Sequence, residues 1–186
     1  MHAVLNKIMD LLCLPARWVS WLTLPLIGSI ILVVIYAQMG RNTFISFDAP
    51  VWLFGRSIGV NTLYDVQWYI FALLVLFGGI WALRDNKHVS VDFLWLLMSP
   101  RQQLWLRLCG DLLFLVPFCA IIAWYGYSFT ETAWRTAEAS THGGLNSRWL
   151  IKATIPISFA MLTLFGICRI ILTALQLAGR APLEDK

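Results

Sequence analysis

Ionisable residues are scarce in this chain, and their placement excludes most kinds of chemistry. Asp, Glu, Lys and Arg make up 13% of the sequence against 59% hydrophobic residues. The mean hydropathy is +0.71, and this balance excludes an ordinary soluble domain. The only histidines, His2, His88 and His142, fall in polar surface segments. A haem-binding helical subunit needs axial ligands on facing helices, so that class is excluded. Cys13, Cys109, Cys119 and Cys168 lack metal-ligand spacing and read as reduced structural thiols. No carboxylate falls at mid-depth in an apolar run, where a small proton-coupled exporter needs one. No nucleophile–base constellation, carboxylate pair or Gly-rich phosphate loop stands out, so no catalytic, cofactor or metal site is expected. The net charge of +4 is spread over several loops, with no dense basic face for nucleic acid. A secretory signal pattern is also missing, so the N-terminus is expected to stay attached.

What the chain does have is apolar residues in blocks of about twenty, the length a helix needs to cross the hydrocarbon core. The expected fold class is an all-α integral membrane protein with a single membrane domain over 1–186. It has four transmembrane helices, amphipathic interfacial helices and both termini in the cytoplasm. The spans are expected at 19–39, 66–83, 108–129 and 149–177. Segment 1–15 separates Met1, Val4, Leu5, Ile8, Met9, Leu11 and Leu12 from His2, Asn6, Lys7, Asp10 and Cys13. That pattern is an interfacial amphipathic helix, which Pro15 is expected to close. Residues 49–54 form a short apolar piece in the first outer loop, interfacial or re-entrant in character. Pro117 is expected to kink the third span. The fourth segment measures roughly 43 Å at 1.5 Å per residue, more than the core of about 30 Å, so it must tilt, kink at Pro156 or project.

Orientation rests on segment 84–107, which is charged first and then apolar over Val89 to Met98. That apolar run is too short to span and suits the membrane surface. Lys7, Arg17, Arg84, Lys87, Arg101, Arg107, Arg169, Arg180 and Lys186 lie on its side of the membrane. Arg41, Arg56, Arg135, Arg148 and Lys152 lie on the other. Nine against five places the termini and this segment inside.

Three groups of candidate residues follow. Gly28 and Ser29 in the first span, and Gly78 and Gly79 in the second, leave notches where another helix could approach closely. Asp65, Gln67 and Trp68 at the outer end of the second span are expected to contact another helix or subunit. Arg84, Lys87, His88, Asp92 and Arg101 are expected to meet anionic headgroups or a partner on the cytoplasmic side. Within the bilayer, Asp111 lies one turn into the third span and Arg169 late in the fourth, so antiparallel spans put both at one depth. An Asp111–Arg169 contact is expected, with Arg107 or Arg84 as alternative partners.

The motif His88-Val89-Ser90-Val91-Asp92 followed by Ser99-Pro100-Arg101 resembles the small membrane subunit of tripartite ATP-independent periplasmic (TRAP) transporters. Asp65-Val66-Gln67-Trp68-Tyr69 and the run from Gly143 to Lys152 (GGLNSRWLIK) are similar to that family in the same order. The acidic position before Gln-Trp is often Glu there, and Asp65 keeps its charge with a shorter reach. The resemblance implies a non-catalytic subunit in a bacterial inner membrane. It would support a large permease subunit that takes up an organic acid or related solute with sodium, delivered by a periplasmic solute-binding protein. Membrane lipids would be its other partners. Two rival readings use the same helices: a stand-alone membrane structural or assembly factor, and a small independent transporter acting as an oligomer.

Overall fold

A computed structural model of the chain describes residues 2–85, 98–140 and 144–179. The expected features that rest on Lys87, His88, Asp92 and His142 lie outside these residues. Among the described residues four helical runs are long and apolar enough to cross a membrane: 3–38, 60–84, 100–135 and 149–177.

The first run consists of α1 (His2–Val19), a 3-10 turn (Ser20–Leu22) and α2 (Thr23–Gln38). Pro15 lies inside α1 and does not end it, contrary to the expectation from sequence. The tightened turn comes further on, where the ring of Pro25 has no N–H for the Trp21 carbonyl. The hydroxyls of Ser20 and Thr23 donate to the carbonyls of Arg17 and Ser20, each at 2.8 Å.

The piece at 49–54 is neither a helix nor an isolated segment. It closes an antiparallel hairpin of β1 (Thr43–Val51) and β2 (Gly55–Gly59), with Ile45 opposite Ile58 and Ser46 opposite Ser57. Gly55 takes φ +64° at the turn, a conformation that favours glycine. Hydrophobicity alone marks 49–54 as apolar. Its backbone is taken up by that hairpin, with Val51 opposite Gly55.

The second long helix is α3 (Val60–Arg84). The third run starts earlier and ends later than its expected 108–129. Helix α4 (Pro100–Gly110) passes through a π-turn (Asp111–Leu115) into α5 (Val116–Arg135). Pro100 sits at the helix start, where its missing N–H costs nothing. Ser99 caps the helix and exchanges bonds with Gln102, so residues 100–107 of the expected cytoplasmic segment are helical and continuous with the span. The irregularity expected at Pro117 is spread over the turn before it, where the Val116 amide donates to the Asp111 carbonyl five residues back. Helix α6 (Trp149–Leu177) runs through Pro156.

The helices alternate in direction, and the core lies at the α1 end. Leu5, Met9 and Ala16 of α1 pack with Phe77, Ile80 and Leu83 of α3 and with Phe165, Cys168 and Leu172 of α6. The apolar half of α1 is thereby divided, because Val4, Ile8 and Leu11 remain exposed on its other side. Helices α5 and α6 approach closely at two glycines. Gly126 faces Pro156, and a Cβ at Gly166 would lie 2.9 Å from Val116 Cγ2. Only 11–22% of the most apolar window of each run is buried within the chain. The remaining apolar surface is suited to lipid or to another membrane protein.

Candidate functional site

Polar side chains gather at the two ends of the helices. At the end where α3 and α6 finish, Arg169 Nε donates to Asp111 Oδ2 at 2.6 Å and Nη2 donates to Oδ1. Arg169 Nη1 also donates to the Leu83 carbonyl at 3.3 Å. One guanidinium therefore ties α6 to the π-turn and to the last turn of α3, whose carbonyls lack helical partners. Asp111 is only 3% exposed. The extra residue in the π-turn shifts the helix face at this point, and Asp111 opens that turn. Arg84 pairs with Asp10 of α1 rather than with Asp111, and Trp81 Nε1 donates to Asp85 at 2.9 Å.

At the opposite end the loop between α5 and α6 is bonded to α3 and to the hairpin. Asp65 Oδ2 accepts the Leu145 amide at 2.9 Å. Gly144 lies so close that a Cβ there would overlap the Asp65 carboxylate. The Asn146 amide donates to the Leu53 carbonyl at 2.9 Å. Glu138 pairs with Lys152 and lies 3.7 Å from Arg148 Nη1. Lys152 Nζ also sits 4.0 Å above the Phe129 ring, and Trp134 meets Trp149 edge-on at 4.5 Å. Ring and carboxylate together compensate the ammonium where it nears the apolar span.

The structure brings together Asp111 and Arg169, and it gives Asp65 a partner in the Leu145 amide. It does not bring together the small-residue notches. A Cβ at Gly28, Gly78 or Gly79 would meet no atom within 4 Å. The glycines that let helices touch within this chain are Gly126 and Gly166. Ser29 is buried and donates to the Leu26 carbonyl at 2.8 Å. Gln67 Nε2 is buried with no acceptor among the described residues, Trp68 is 69% exposed, and Arg101 is exposed. Sequence reasoning missed the Asp10–Arg84 and Glu138–Lys152 pairs. One sign was available for the second pair, a lysine placed just inside the fourth span.

Among the described residues no group of His, Cys, Asp and Glu could hold a metal ion. Residues 30–176 match the family model described as tripartite ATP-independent periplasmic transporters, DctQ component. No curated protein matches the chain.

Proposed function

The chain belongs to the DctQ component family of the tripartite ATP-independent periplasmic transporters, and we propose that it serves there as a fixed scaffold. It is a non-catalytic, multi-pass subunit of the inner membrane. In our reading it supports a large permease subunit that carries the substrate and sodium sites. That permease takes up an organic acid or related solute delivered by a periplasmic binding protein. The termini and the segment between the second and third spans face the cytoplasm, in line with the excess of Lys and Arg there.

One observation carries this reading. The carboxylates within the four long helices are Asp10, Asp65, Asp111 and Glu131. Each has a partner: Arg84, the Leu145 amide, Arg169 and Arg135 respectively. An ion-coupling carboxylate must be able to exchange its partner for the ion, whereas Asp10, Asp65 and Asp111 hold helices and loops in place and Glu131 pairs along its own helix. The open space at Gly28, Gly78 and Gly79 would let a second membrane protein approach α2 and α3 closely.

Co-expression with a large permease subunit, followed by affinity purification of this chain, tests the proposal. Stoichiometric recovery of the permease is expected, together with sodium-driven uptake in proteoliposomes only when permease and binding protein are both present. Uptake by this chain alone would overturn the scaffold role in favour of an independent transporter. Failure to retain any permease would point to a stand-alone assembly factor.

A further inference from the structure

Beside the Asp111–Arg169 bridge lies a cavity of about 150 Å³, bounded by α1, α3, α4 and α6. Three guanidiniums, Arg84, Arg107 and Arg169, contribute to its wall, against a single carboxylate, Asp85. Asp10 and Asp111 are not part of that wall; they engage Arg84 and Arg169 as ion-pair partners. Asn6, Thr173 and Gln176 add neutral polar groups. A guanidinium has five N–H donors, so a single carboxylate does not saturate it. Arg84 Nη1 is buried with no acceptor among the described residues.

We propose that this cavity binds a phosphate group, the headgroup phosphate of an anionic phospholipid. It is a site within the chain itself and goes beyond the scaffold role. The chemistry is the planar fork of arginine meeting phosphate oxygens. A cavity needs about 10–15 Å³ of such space to hold one water, so a tetrahedral oxyanion fits here. The site lies where α3 and α6 end, which in the orientation proposed above is the level of the cytoplasmic headgroups. Basic pockets between helices at that level take anionic headgroups. A bound phosphate would join α3, α4 and α6 through Arg84, Arg107 and Arg169, the first and last of which already tie helices together. A free oxyanion from solution offers the same oxygens, and the experiment separates the two sources.

The full-length chain is purified in lipid-free non-ionic detergent. It is titrated separately with dihexanoyl phosphatidylglycerol, dihexanoyl phosphatidylcholine and inorganic phosphate while its unfolding temperature is followed. Saturable stabilisation by phosphatidylglycerol is expected at about tenfold lower concentration than by phosphatidylcholine. Losing one charge-assisted bond in Arg107→Gln should raise that concentration about tenfold. Thr173→Leu, which fills the cavity without altering charge, should weaken it similarly. Arg84→Gln also breaks the Asp10 bridge, so the first two variants carry the test. Stabilisation by inorganic phosphate equal to that by phosphatidylglycerol would keep the oxyanion site and assign it to a soluble anion. The proposal is overturned if phosphatidylglycerol acts no better than phosphatidylcholine and phosphate is inert. It is also overturned if the folded Arg107→Gln and Thr173→Leu proteins respond as the parent does.

Discussion

Removing either partner of the Asp111–Arg169 bridge should destabilise the protein by more than any exposed ion pair could explain. Asp111 is 3% exposed, and the Arg169 side chain is 18% exposed. In Asp111→Ala the guanidinium stays in place and keeps the Leu83 carbonyl as an acceptor. Breaking a buried pair in this way costs about 3–5 kcal/mol, against at most about 1 kcal/mol for a surface pair. Arg169→Ala leaves the carboxylate uncompensated and also removes the donor to Leu83, so a loss of similar size is expected. The double alanine variant leaves no uncompensated charge and should lose less than the sum, with a coupling energy of about 2 kcal/mol or more. The exchanged variant, Asp111→Arg with Arg169→Asp, should recover part of the stability. Chemical denaturation of the purified protein in one detergent, read as a double-mutant cycle, provides the measurement. Additive losses within about 0.5 kcal/mol would refute the reasoning, because two side chains that reach water independently give no coupling.

Gly144→Ala should destabilise the loop between α5 and α6 by about 1–3 kcal/mol, since its Cβ would overlap the Asp65 carboxylate. Faster limited proteolysis between α5 and α6 would register it. Gly79→Leu should leave the chain's own unfolding temperature nearly unchanged, because nothing lies within 4 Å of its Cβ. The same variant should reduce recovery of the permease on co-purification, and a normal yield counts against that face as the contact. Gly166→Leu should have the opposite profile, lowering the chain's own stability by about 1–3 kcal/mol through overpacking against Leu115 and Val116. A single cysteine at Lys7 in a cysteine-free background should be labelled from the cytoplasmic side, and labelling only from outside would reverse the assigned orientation.

The four apolar runs can be read from sequence because lipid demands about twenty residues without charge, a requirement that needs no knowledge of tertiary contacts. The depth argument that pairs Asp111 with Arg169 also uses only sequence position and alternating span direction, and the structure brings the two together. The features that could not be read depend on backbone and distant partners. The π-turn at 111–115 is one extra residue in a ladder, and hydrophobic periodicity does not register it. Proline misled in the other direction: Pro15 sits inside a helix because neighbouring packing outweighs one missing bond. The hairpin hid behind apolar residues at 49–54 whose alternation is too short to separate strand from helix. Asp10 read as part of a solvated face, since nothing local marks Arg84, 74 positions later, as its partner. Gly78 and Gly79 looked like packing notches, yet the helices of this chain meet at Gly126 and Gly166, which carry no different local signature.

Matching the buried Asp111 carboxylate with the Arg169 guanidinium also governs how this pair responds to an electric field. A membrane potential of 100 mV does about 2.3 kcal/mol of work on each elementary charge carried across it. Asp111 and Arg169 share one level, so together they present a small local dipole and no net charge for the field to drive. Energisation of the membrane thus exerts almost no net force on this pair. A subunit built this way can stay stationary at any voltage, leaving electrical work to whatever charged species a neighbouring protein moves.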